Sequence, residues 1–149
     1  KIVLGIADFP ALNERYVGYG KISYKLINNR KKILKVKSNS LSKSILSSTS
    51  TYSFKNKNDK NIFEKILKKV KTVHMGGDCY QYCLLADGYI DIVLESGLNS
   101  YDIQALIPIV KNSGGSIKTW DGKDPKNGGK VIAASSRSLL SIVQSLIVK

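Results

Sequence analysis

Four carboxylates fall within one short stretch of the chain: Asp87, Asp91, Glu95 and Asp102. Ionised carboxylates can bind cations and accept hydrogen bonds. Glu95 closes an apolar run, YIDIVLES, that reads as a strand buried on both faces, and Asp102 falls in the first turn of the helix that follows. In α/β sheets the carboxyl end of a strand and the N-terminus of its next helix border the usual ligand crevice. An acid in a first helical turn also has a plainer use, because it stabilises the helix dipole by about 0.3–1 kcal/mol. Spacing alone therefore leaves Asp102 between the two roles. Asp87 and Asp91 read as surface residues.

Other chemistries are set aside by what the chain lacks. The single histidine, His74, cannot build a three-His zinc site, and no G-x-S-x-G, Walker A or G-x-G-x-x-G pattern is present. Two cysteines, Cys79 and Cys83, stand one helical turn apart on a face shared with Tyr82 and Ala86. They read as buried structural thiols rather than a metal or redox pair, and two cysteines make no disulfide framework, so a reducing, cytoplasmic setting is expected.

The elements that position these residues alternate between strand and helix. IVLGIADF reads as a strand, Pro10 as a turn, and RYVGYGKISYKLI as a second strand, so the chain opens on a hairpin or meander. Eight Ser and two Thr between Ser38 and Ser53 leave room for a short strand flanked by loops, or for a mobile segment. Ile62, Phe63, Ile66, Leu67 and Val70 have helical spacing, with Asn61 and Glu64 placed as a capping box. KTVHM reads as a strand, followed by a Gly76-Gly77 turn and a helix capped by Asp78, with Gln81 at its third position and Gly88 as its stop. A third helix spans about residues 100–112, where Pro108 predicts a kink or an early break. SIKTW, KVIAAS and a last helix through Leu139, Val143 and Leu146 complete an α/β layer with partly parallel pairing.

At 149 residues, with 42% hydrophobic and 23% charged residues, the composition is that of a globular domain. No apolar run reaches the roughly 18 residues that suggest a membrane span. The opening residues lack the features of a signal peptide, and Lys1 reads as the interior of a longer chain. The net charge of +13 is local: residues 21–71 carry 15 bases against Asp59 and Glu64, while the other segments balance. That stretch reads as a solvated lysine-rich surface, or secondarily as an attractor of an anionic substrate. With only three Arg against 21 Lys, a nucleic-acid reader is disfavoured, because Arg is the residue that grips phosphate and guanine bidentately.

The stretch GGDCYQYCLLADGYIDIVLESGLNSYDIQALIPIVKNSGGSIKTWDG resembles the C-terminal signature of the inositol-monophosphatase-like, magnesium-dependent phosphatases. Its G-G-D-C-Y-x-Y and Y-D-x-x-A-L-x-P-x-V pieces most resemble the histidinol-phosphatase branch. GIADFPALNERYVG is similar to the family's G-I-x-x-x-P-x-x-x-E-R strand pair, and KVIAAS to its closing strand. The resemblance implies the C-terminal half of a layered αβαβα fold, with residues 1–36 ending an antiparallel sheet and residues 37–149 forming an α/β subdomain.

It also implies roles for individual residues. Asp102 matches the Asp that helps hold a catalytic Mg2+, and Glu95 matches the Glu that contacts substrate groups remote from the phosphate. Asp78 and Cys79 fall near the substrate. His74 stands where many relatives carry Arg, and Tyr101 replaces the Trp of the inositol-specific members. The family's D-P-x-D-G-T motif and an isolated Glu are expected before residue 1, since one carboxylate cannot complete an oxygen-rich Mg2+ shell. This chain is thus expected to be a fragment, inactive alone. The intact protein is expected to be a metal-dependent phosphatase acting on a small phosphorylated metabolite, histidinol phosphate in histidine biosynthesis, with inositol 1-phosphate the alternative and a homodimer as its assembly.

Overall fold

In the computed structural model, residues 2–28 and 30–148 are described, and Lys1 lies outside them. The chain opens as an antiparallel meander of four strands in sequential order, β1 (Leu4–Phe9), β2 (Glu14–Tyr19), β3 (Ile22–Ile27) and β4 (Arg30–Ile33). The single second strand expected from RYVGYGKISYKLI is two strands. Its alternation runs unbroken through a tight turn where Gly20 takes φ +61°, a conformation glycine adopts without penalty. β4 arises from the start of the lysine-rich segment, beyond the strands read from periodicity.

The second sheet has the order β6-β5-β7-β9-β8. Here β5 (Ile45–Ser48) lies parallel to both β6 (Thr72–Met75) and β7 (Ile92–Leu98), while β9 (Gly129–Ala134) runs antiparallel to β7 and to β8 (Ser116–Thr119). Ile92, Val93, Leu94 and Glu95 are all buried, so β7 is covered on both faces, and its register shifts between Glu95 and Leu98, where Gly97 has φ +84°.

Helix α1 (Lys57–Leu67) buries Ile62, Phe63 and Ile66, as the spacing predicts, but it begins four residues before Asn61. Asn56 is its cap, accepting from the Asp59 amide at 2.8 Å, and Asn61 is exposed within the helix. Asp59 is itself buried against Lys130 at 2.7 Å, a partner 71 residues away. Helix α2 (Tyr80–Ala86) is not capped by Asp78. Cys79 holds the cap position, Gln81 turns inward, and Gly88 ends the helix at φ +85°.

The third helix divides, as Pro108 predicts, into α3 (Ser100–Ile103) and α4 (Leu106–Asn112). Proline lacks the N–H that would bond the carbonyl four residues back, at Gln104, and the break falls there. Helix α5 (Arg137–Val148) closes the chain with Leu139, Leu140 and Val143 buried.

Helix α4 lies directly on the meander. Gly5 and Gly18 face each other across β1 and β2, and a methyl carbon at either would overlap the backbone of α4, at Ala105 or at Pro108 and Ile109. One core cluster joins the two sheets through Ala7, Tyr16, Leu34, Tyr82, Val93 and Ile109. A second fills the space between the larger sheet and helices α1 and α5, around Leu46, Phe54, Phe63 and Trp120. The opposite face of the meander shows Leu4, Ile6, Tyr19, Ile22 and Ile33 to solvent.

Two acids expected on the surface are internal. Asp91 is 3% exposed, accepting from the Ile45 amide and from Asn39 Nδ2, both at 2.8 Å. Asp87 is buried at its carboxylate, between Lys25 Nζ at 3.1 Å and Lys32 Nζ at 2.5 Å. Lys25 is the exception to the solvated lysine surface. It is 8% exposed and also meets Glu14 at 3.2 Å. Both thiols are free; Cys83 is buried and Cys79 half-buried against the first core cluster. Among the described residues no helix is long and apolar enough to cross a membrane.

Candidate active site

The carboxyl ends of β5, β6 and β7 place Thr49, His74 and Glu95 side by side, and the start of α2 lays Gln81 across them. Ser47 pairs in register with both His74 and Val93, so β5 bridges the strand carrying His74 and the strand carrying Glu95. Glu95 is 2% exposed, yet it is well supplied with donors: the Thr49 amide at 2.6 Å and Gln81 Nε2 at 2.5 Å. Gln81 Nε2 also donates to Thr49 Oγ1 at 2.9 Å, Ser47 Oγ donates to Gln81 Oε1 at 2.8 Å, and Ser47 Oγ lies 3.2 Å from His74 Nδ1. Burial pushes the Glu95 carboxyl above its ordinary value; the bonds from Thr49 and Gln81 oppose this and the charge of Asp78 adds to it.

The loop from β6 to α2 is built from three successive left-handed residues, Gly76 at φ +90°, Gly77 at +97° and Asp78 at +45°. Only the third carries a side chain, and aspartate is among the few residues that tolerate this region. The Gly76 amide donates to the carbonyls of Ser48 and Thr49, tying the loop to the end of β5, and Asp78 is exposed.

Asp102 lies on the half-exposed first turn of α3, where its Oδ2 accepts from the Asn99 amide at 2.7 Å. The plain capping role is therefore present, and it occupies one carboxylate oxygen. Glu95, Asp78 and Asp102 converge electrostatically on a residue that sequence reasoning placed only on a cysteine-bearing helix face, Tyr82. Its phenol is fully buried and without a hydrogen-bond partner, and it is pushed well above its ordinary value by burial and then by the charges of these three acids. Thus hydrogen bonds join His74 to Glu95 through Ser47 and Gln81, and the charge of Asp78 reaches Glu95, whereas Cys79 packs toward the core and its thiol is raised by burial and by Asp78. Gln81, Ser47 and Thr49 were missed, because their role depends on three strands meeting.

A layered α/β unit with a buried glutamate and an exposed aspartate where its parallel strands end is thus the class that fold and site define. The chain belongs to the inositol monophosphatase family, whose model matches residues 1–148. It is 40% identical over 123 residues to the bifunctional phosphatase IMPL2, chloroplastic, of Arabidopsis thaliana, covering 83% of this chain and 35% of that protein. A histidinol-phosphatase of Mycobacterium tuberculosis is 36% identical over 59 residues, 40% of this chain and 23% of that protein. The solved inositol monophosphatase of Zymomonas mobilis superposes with a TM-score of 0.90 at 36% identity, over 99% of this chain and 58% of that one. The fold expected from the resemblance is the one found, and the chain spans about a third of the Arabidopsis relative's length.

Proposed function

We propose that the complete protein hydrolyses a phosphate monoester, with Asp102 as one Mg2+ ligand and with Glu95, Asp78 and His74 receiving substrate groups remote from the phosphate. Asp102 suits the ion as a hard oxygen donor whose orientation is fixed by the Asn99 amide. Among the described residues no three His, Cys, Asp or Glu side chains converge on one point, so Asp102 would act with ligands from elsewhere in the complete protein. The metal, when bound, lowers the pKa of a bound water and neutralises charge on the leaving oxygen.

The substrate we favour is histidinol phosphate, and the observation that carries it is the buried, charge-accepting Glu95 with Asp78 close enough to raise it. Two neighbouring carboxylates suit an ammonium group, which offers charge-assisted bonds, better than the neutral hydroxyls of an inositol. The Mycobacterium relative is named a histidinol-phosphatase, whereas the Zymomonas structure is named for the inositol ester.

Comparison of kcat/KM on the two esters, measured on the complete protein with Mg2+, decides between them. A preference for histidinol phosphate is expected, and a preference for inositol phosphate overturns the ranking. Asp102→Asn is expected to lower kcat by about 10²–10³-fold, matching the several kcal/mol that metal-borne charge stabilisation supplies, with a native circular dichroism spectrum. Near-normal turnover would remove Asp102 from the metal site.

A further inference from the structure

Between Glu95 and His74 the hydrogen bonds form an unbroken file, and the chemistry of its members fixes their direction. An ionised carboxylate only accepts, so Gln81 must turn its NH2 group toward Glu95 and Thr49, leaving its carbonyl Oε1 toward Ser47. Ser47 has one proton, and it goes to that carbonyl. Its oxygen therefore has only lone pairs for His74 Nδ1, 3.2 Å away, and that contact is a hydrogen bond only when Nδ1 carries the proton. The far side of the ring is open: His74 is exposed on an edge strand, with Cε1 packed beside Gly77, next to Asp78.

We propose that Glu95, acting through Gln81 and Ser47, holds His74 as its Nδ1–H tautomer, so that neutral His74 offers Nε2 to the substrate as a hydrogen-bond acceptor. His74 is then a specificity-determining residue for a donor group, an ammonium or a hydroxyl, and Gln81 and Ser47 are positioning residues. The substrate clause rests on the crevice being the substrate site; the tautomer stands without it. An acceptor at position 74 stands near Asp78 on the open side of the ring, which matches a cationic group and disfavours an anionic one.

The chain contains one histidine, so [15N]histidine labelling gives a single ring whose long-range 1H–15N correlations show which nitrogen is protonated. Above the pH of ring titration, the unmodified chain is expected to show a protonated Nδ1 and a bare Nε2, the tautomer less favoured by free histidine. Ser47→Ala, or Gln81→Met should that variant not fold, is expected to return the ring to the Nε2–H form. An Nε2–H ring in the unmodified chain, or an unchanged tautomer in a folded variant, overturns the proposal. In the complete protein, His74→Lys, which can only donate, is expected to raise KM for an amino-bearing phosphate ester at least about tenfold more than His74→Gln, which retains an acceptor, with kcat little changed. Equal KM values overturn the specificity role, whereas a complete protein inactive on every phosphate ester refutes the proposed function and leaves the tautomer result intact.

Discussion

Replacing Gln81 by Met keeps the length of the side chain and removes every polar contact it makes. Two costs follow. The Glu95 carboxylate loses a charge-assisted bond, worth about 1.5–3 kcal/mol, and Ser47 loses the acceptor for its buried proton, a further cost of roughly 1–2 kcal/mol. The first cost exists only while Glu95 is charged. Because burial already raises the Glu95 pKa in the folded protein, ionising it lowers stability as pH climbs from about 4.3, the ordinary glutamate value, through the folded value, and none of that cost is present below both. The Thr49 amide and Gln81 offset it, and Gln81→Met removes the second of these while the first remains. Urea unfolding of the two chains should therefore differ by about 1–2 kcal/mol at pH 4 and about 3–5 kcal/mol at pH 8, the latter equivalent to a fall of roughly 10 °C in Tm. The same difference at both pH values, within about 0.5 kcal/mol, would refute the account of Glu95 as a buried charge held by Gln81.

Lys25→Met should cost about 2–4 kcal/mol at neutral pH, less than the complete loss of a buried ion pair because Asp87 keeps Lys32 and Glu14 keeps the hydroxyls of Tyr16 and Tyr80. Burial would raise Glu14, but the bonds from Tyr80, Lys25 and Tyr16 hold it below its ordinary value, so its contribution is present above about pH 4.3 and lost as pH falls through the folded value. Burial would lower Lys25, but Asp87 and Glu14 hold it above its ordinary value, so its contribution is present at neutral pH and lost only as pH rises through that raised value. The variant should flatten both limbs of the stability–pH curve, and unchanged limbs in urea titrations would contradict the assignment. Gly18→Ala should destabilise by about 1–3 kcal/mol, because the new methyl meets helix backbone rather than a side chain that can swing away; a neutral effect in thermal unfolding would show that α4 can lift from the sheet.

What the sequence made legible was local. The uninterrupted apolar run of β7, the helical spacing of Ile62, Phe63 and Ile66, the break before Pro108, and the placement of Glu95 and Asp102 around a strand end each depend on neighbours a few residues away. What was misread depends on distant partners. Asn56 followed by Asp59 and Asn61 followed by Glu64 are the same cap pattern, and the one used is the one whose acid is buried against Lys130. Asp87 and Asp91 look solvent-facing until Lys25, Lys32 and Asn39 fold over them. Gln81 fits a capping position by spacing, but its partners Ser47, Thr49 and Glu95 lie on other strands, so the file leading to His74 has no signature along the chain.

The apolar outer face of the meander has a colloidal consequence. Leu4, Ile6, Tyr19, Ile22 and Ile33 form an adhesive surface on this chain, while Lys25 and Lys32 of the same strands turn the other way, toward Asp87. In dilute buffer, where the screening length is about 30 Å, a net charge of +13 holds two such faces apart. At 1 M salt that length shrinks to about 3 Å and the repulsion ends before the surfaces touch. Salt, usually a means of keeping basic proteins in solution, would here bring these sheets together.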